Sequence, residues 1–246
     1  MEYADILSIN VGKPEAIQFQ NKAVSTGIYK KPASGPIFLS STNFAGDGQG
    51  DLVHHGGAEK AVCVYPYEHY LFWEKELQRK LEYGAFGENL TIKGLLEDDV
   101  HIGDIFQLGE AVVQVSQPRQ PCYKLTVRYG MPDMILKVQD TGFTGFYFRV
   151  LKEGFVCKDR GLKRISRHPK GITISYANRI KHHEKNNIEG IKKLLEVEEL
   201  SANWRASCLK RLNGFEPDDR ERLTGGLEKI LTQKEKILCR SAEDFC

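Results

Sequence analysis

A cysteine that follows a strand, stands behind two prolines and opens a helix is placed to react. One such cysteine lies in Ser116-Gln117-Pro118-Arg119-Gln120-Pro121-Cys122-Tyr123-Lys124-Leu125. Pro121 fits the first position of a helix. Cys122 then feels the positive end of the helix dipole, and with Arg119 and Lys124 nearby its thiol pKa is expected to fall, leaving an exposed thiolate at neutral pH. A thiolate attacks electrophiles or binds a soft metal. The ordinary state of a free cysteine is a small buried hydrophobe. Cys63 in a strand, and Cys157 and Cys208, the latter on an apolar helix face, are read that way, whereas Cys239 and Cys246 carry no readable role.

A second constellation runs from Asp47-Gly48-Gln49-Gly50 through His54-His55-Gly56-Gly57 to Lys60. Glycines admit a ligand close to the backbone, and an ammonium just before a strand can meet a phosphate, so the segment reads as an anion cradle or simply as a turn. Adjacent histidines on an extended chain face opposite ways, so His54 and His55 are not expected to share one metal. A third, Phe86-Gly87-Glu88-Asn89-Leu90-Thr91, offers a carboxylate, an amide and a hydroxyl within four residues. These either hold a polar ligand or cap their own turn. Thr141 to Arg149, mixing glycines with aromatics, is most simply a turn and a strand.

The elements around these residues change character along the 246-residue chain. Before residue 166 lie 18 of its 23 glycines and 7 of its 9 prolines, which suits short strands joined by tight turns. Expected strands are 4–11, 36–41, 61–65, 89–92, 104–108, 111–116, 143–151 and 154–157, with short helices from Pro66 to about Lys80 and from Pro132 to Val138. Their spacing favours a barrel or sandwich. The run from Lys158 to Lys170 has six basic residues against Asp159 alone, and reads as a solvated linker or a charge-guarded edge strand. Beyond it, apolar residues recur at three and four positions: 172–181, 188–195, 201–212 with Ser201 as a cap, and 218–238.

The formal charge of +2 supplies no chain-wide field for gripping nucleic acid. No apolar run approaches the roughly 20 residues of a membrane span. The start, Met1-Glu2-Tyr3-Ala4-Asp5, lacks a signal-peptide stretch, so a reducing cytoplasm is expected. The six cysteines form no Cys-x-x-Cys pair, hence neither a disulfide framework nor a zinc ribbon is signalled.

In order, His55-Gly56-Gly57 with Lys60-Ala61-Val62, then Phe86 to Thr91, Ile102-Gly103-Asp104, Gln117 to Leu125, and Trp204-Arg205 within 200–212 resemble the YiiM-like MOSC proteins. The resemblance implies a mainly β fold with helices: a MOSC β-barrel over 1–165, a basic linker over 166–171, a three-helix domain over 172–214 and an unassigned helical tail over 215–246. It implies a molybdenum cofactor, a pterin dithiolene bearing the metal and a phosphate, with Cys122 supplying the protein thiolate to molybdenum. Lys60, His55 and Asn89 are then expected to hold the pterin or its phosphate, and Arg119 the charge on the cofactor or its metal-oxo unit. These residues are expected to meet at one rim of the barrel. The implied activity is reduction of N-hydroxylated compounds such as hydroxylaminopurine bases and amidoximes, a detoxifying N–OH to N–H conversion. No iron–sulfur cysteine cluster or dinucleotide-binding glycine motif is visible, so electrons must come from a separate flavin or iron–sulfur protein. The helical tail is a candidate homodimer or docking element. Two other readings stay open: a non-redox carrier of sulfur or cofactor using a Cys122 persulfide, and an interaction module using the basic linker and tail.

Overall fold

The structure, a computed structural model, describes residues 2–19, 22–50, 56–215 and 218–225. Its strands are β1 (Tyr3–Val11), β2 (Glu15–Phe19), β3 (Lys22–Thr26), β4 (Lys31–Pro32), β5 (Ile37–Leu39), β6 (Val62–Pro66), β7 (Leu90–Lys93), β8 (Ile105–Leu108), β9 (Ala111–Pro118), β10 (Phe146–Lys152), β11 (Gly154–Val156) and β12 (Leu162–Ser166). Its helices are α1 (Tyr70–Leu77), α2 (Tyr123–Tyr129), α3 (Met134–Thr141), α4 (Ile174–His182), α5 (Ile188–Leu195), α6 (Ala202–Leu212) and α7 (Arg220–Thr224).

Seven strands close a barrel in the order β1-β7-β6-β10-β9-β8-β12 and back to β1. Neighbours are antiparallel except β6 and β7. The basic run is therefore neither a linker nor an edge over 162–166. It is the closing strand, paired on one side with β1 and on the other with β8, and its Arg164 is buried against Asp104 rather than solvated. Full pairing removes the exposed edge that such charges would otherwise guard.

Alternation along β6 and β10 sets up everything that follows. Val62, Val64, Phe146 and Phe148 face the barrel core. Cys63, Tyr65 and Tyr147 must then point outward. Tyr65 enters a second apolar cluster with Tyr70, Trp73 and Phe86, outside the barrel and under α1, where Trp73 Nε1 donates to its hydroxyl at 2.6 Å. Pro66 ends β6 with extended backbone instead of opening a helix, and α1 starts at Tyr70 after a short 3-10 turn.

Helices α4, α5 and α6 are capped by Thr173, Asn187 and Ser201, each side-chain oxygen accepting a backbone N–H three residues on. Their apolar stripes do not make a separate core: Ile174, Ile180, Leu194 and Trp204 join the barrel cluster. Main-chain bonds from Ile102 N–H to Ile172 O and from Ser201 N–H to Ser116 O stitch the two parts together. Of the helical stretch expected over 218–238, the described part contains α7, and the remainder lies outside the described residues. No helix among the described residues is long and apolar enough to cross a membrane.

Candidate functional site

Gln117, Tyr147, Cys63 and Asn89 form a row across the outside of the barrel. The register sets Gln117 of β9 against Tyr147 of β10, and Tyr147 against Cys63 of β6. Asn89, just before β7, donates its N–H to Cys63 O at 2.8 Å. A cleft lies over this row, about 600 Å³ counting its open mouth. Its opposite walls come from Thr26 to Lys30, from Gly48 to Gly50, and from the turn Arg119 to Lys124.

Lys60, Asn89, Arg119 and Cys122 all line this one cleft. Lys60 precedes β6, Asn89 precedes β7 and Arg119 follows β9, so strand-end positions meet in this cleft, and Cys63 and Tyr147, each the second residue of its strand, extend its lining onto the outer wall. The fifth expected residue, His55, lies outside the described residues, as does His54.

Cys122 is the N-cap of α2, with extended backbone, and its carbonyl accepts from Leu125 N–H at 3.0 Å. Pro121 therefore stands before the helix, not at its first position. Cys122 is also buried, with 6% of its surface exposed, where an exposed thiolate was expected. The cleft itself is its route to a ligand.

Arg119 is buried beside it. Its Nη2 donates to Phe86 O at 2.7 Å, and Nη1 finds no hydrogen-bond partner among the described residues. Burial works against its charge, but Cys63, Tyr147, Cys122 and Tyr65 around it raise its pKa on balance, so it stays cationic. A buried guanidinium with an unspent donor fits an anionic ligand.

Asn89 is largely committed to the scaffold. Its Oδ1 accepts from Cys63 N–H at 3.0 Å, and Nδ2 donates to Asn10 O at 3.2 Å and Asp47 Oδ2 at 2.8 Å. Asp47 also binds Gly12 N–H and forms a buried ion pair with Lys30, a cation on the cleft wall. Its neighbour Glu88 caps its own turn, accepting from Gly84 and Phe86 N–H, Tyr70 and Thr91. Two glycines of the expected anion cradle serve close packing: a Cβ on Gly50 would stand 2.8 Å from Ser25 O, and one on Gly48 2.8 Å from the Pro14 ring, whereas one on Gly57 would meet nothing within 4 Å.

Cys63, Tyr147, Lys30 and Lys124 complete a lining that sequence reading did not assign to a site. Burial pushes the Cys63 thiol up to about 11, although Arg119 and a hydrogen bond with Tyr147 work the other way. Burial also raises the Tyr147 phenol. Both are protonated at neutral pH. The signal available was weak, because a continuous apolar run such as Val62-Cys63-Val64-Tyr65 hides which face each residue takes.

Lys30, Lys60, Arg119 and Lys124 thus line the cleft while no Asp or Glu among the described residues does. No group of three or more His, Cys, Asp or Glu that could hold a metal is found among the described residues. The described residues offer a bare ion no cage. A metal that brings its own sulfur ligands and a phosphate, and needs only one protein thiolate, suits this donor set.

Residues 51–162 match the MOSC domain family, and residues 172–215 match the YiiM-like 3-alpha helix domain. YflK of Bacillus subtilis is 53% identical over 216 residues, 88% of this chain and 98% of YflK. The crystal structure of YiiM from Geobacillus stearothermophilus superimposes with a TM-score of 0.72 at 41% identity, covering 85% of this chain and 99% of YiiM. A protein of Gibberella moniliformis named a reductase is 34% identical over 189 residues, 75% of this chain but 31% of that longer protein.

Proposed function

The chain belongs to the YiiM-like MOSC-domain proteins, and on that premise we propose that it is a molybdenum-cofactor-dependent reductase of N-hydroxylated compounds, including hydroxylaminopurine bases and amidoximes. The observation that carries this reading is the shared cleft: the thiol of Cys122, at the N-cap position of α2, among four cations and no described carboxylate. Such a lining favours an anionic, metal-bearing ligand over a bare ion.

The bound cofactor would supply the two-electron chemistry by which an N–OH compound becomes N–H with release of water. Cys122 is the thiolate for the metal. Arg119, with its unspent Nη1, and Lys60 and Lys124 hold the negative groups of the cofactor, and His55 joins them by family resemblance. Asn89 acts mainly from behind, fixing Cys63 and Asp47. Tyr147 and Cys63, both protonated and hydrogen-bonded to each other, make a neutral polar wall facing the ligand. Electrons come from a separate flavin or iron–sulfur protein; the kinship with a named reductase supports the redox class and leaves the donor to experiment.

Metal analysis by ICP-MS tests the reading on protein made in a host that synthesises the cofactor. Stoichiometric molybdenum, lost when the host cannot make the cofactor, is expected. Metal-free protein with an extra sulfur on Cys122 would replace this reading by the carrier.

A further inference from the structure

Arg222 lies outside the cleft yet grips the residue before Cys122. Its Nη1 donates to Pro121 O at 2.6 Å, its Nε donates to Asp219 Oδ1 at 3.2 Å, and Nη2 stands 2.9 Å from Asp219 Oδ2. One rigid guanidinium therefore joins a carboxylate of the α7 segment to the carbonyl in front of the cysteine. One turn further on, Gly225 has φ 58, and a Cβ there would stand 2.5 Å from the ring of Tyr123. The segment so touches the residues on both sides of Cys122.

Its other side meets the end of α4. Lys181 is half-buried with its ammonium 5.4 Å from the centre of the Trp204 ring, and His182 Nε2 is buried without a hydrogen-bond partner among the described residues. Asp219 is held ionised by Arg222 and by Lys181 despite its burial. By contrast Arg220, on the same helix, pairs with Asp218 at the surface and reaches nothing in the barrel.

We propose that residues 218–225, which lie beyond both matched families, are a buttress for the Cys122 turn, with Arg222 as its positioning residue. The physical reason is the planar peptide unit. Fixing Pro121 C=O fixes the plane shared with the Cys122 N–H and Cα, and so anchors the point from which the thiol projects. No side-chain bond caps α2 at Cys122, so the turn takes this support from outside. The inference rests on Cys122 being the working thiol, but the test reads that thiol directly.

Full-length, metal-free protein is treated with iodoacetamide from pH 7 to 10, and the alkylation rate of each cysteine is followed by peptide mass spectrometry. In Arg222→Ala, Cys122 is expected to react faster by about fivefold or more, with an altered pH profile, as loss of a charge-assisted bond frees a local opening. Cys63, Cys157 and Cys208 should keep their rates, and Arg220→Ala should match the parent. An unchanged Cys122 rate in Arg222→Ala, or an equal rise at all four cysteines, overturns the proposal. A protein that binds no molybdenum would sink the reductase reading and leave this result standing.

Discussion

Asn89 and Cys63 are joined by two hydrogen bonds, Asn89 N–H to Cys63 O at 2.8 Å and Cys63 N–H to Asn89 Oδ1 at 3.0 Å. The side chain thereby acts as an extra strand partner at the point where the parallel pair β6 and β7 begins. The same amide reaches Asp47, whose other oxygen holds Lys30. One asparagine so ties the cleft's floor to its far wall.

Asn89→Ala is therefore expected to destabilise the metal-free protein, because a backbone N–H, a backbone carbonyl and a carboxylate oxygen lose a partner in a buried place. A loss of about 2–3 kcal/mol is expected, read from the urea midpoint. A side chain serving only as a cofactor contact would leave the stability of the metal-free protein unchanged.

Sequence reading found most of the barrel because its strands carry their own signals: β-branched runs in β1 and β9, aromatic residues in β10, and glycine turns between them. It left β12 between a linker and an edge strand, since Leu162-Lys163-Arg164-Ile165-Ser166 shows charge where a central strand ordinarily shows apolar residues, and the charge of Arg164 is balanced by Asp104 from a distant segment. The hairpin of β2 and β3 escaped because little of β2 is buried, which leaves a weak pattern. Of the site, Cys122, Arg119, Lys60 and Asn89 were legible, in part through family resemblance. Tyr147 and Cys63 were not, because their facing depends on which side of two doubly buried strands the barrel closes.

Asp104 shows what the barrel demands of its closing strand. Wholly buried, it accepts from His101 N–H at 3.1 Å and His168 N–H at 2.7 Å, and lies 3.2 Å from Arg164 Nε as an ion pair without hydrogen-bond alignment. Asp104→Ala leaves the Arg164 guanidinium buried and without that carboxylate, and is expected to cost about 3–5 kcal/mol. Chemical unfolding should show this, and Asp104→Asn, which keeps the shape and one of the two acceptor oxygens, should cost less.

His182 gives the protein an acid-sensitive joint. Burial first, then Lys181 and Arg222, push its pKa down to about 3 from the usual 6.5. Between those values the unfolded chain binds a proton that the folded one refuses, so stability falls as pH drops from about 6.5 towards 3. His182→Leu should flatten that part of the curve when urea midpoints at pH 7.5 and 4.5 are compared. An unchanged difference between the two midpoints would remove His182 from the explanation.

Cys122 and Cys63 share the cleft but differ in chemistry, and that difference yields the sharpest test. Cys122→Ser exchanges a soft sulfur for a hydroxyl that stays protonated and binds molybdenum poorly, at little change in volume. The fold should survive. Reduction of an N-hydroxylated base with a chemical or enzymatic electron source should fall to background, although some molybdenum cofactor can stay bound through Arg119, Lys60 and Lys124. Cys63 sits in the strand wall with its thiol pKa pushed up by burial, and Cys63→Ser is expected to keep its molybdenum and cost mainly stability. Cys157→Ser, away from the cleft lining, should match the parent in both. A Cys122→Ser protein that retains molybdenum and full reductase activity would falsify the ligand role, and a matching loss in Cys63→Ser would move that role to Cys63.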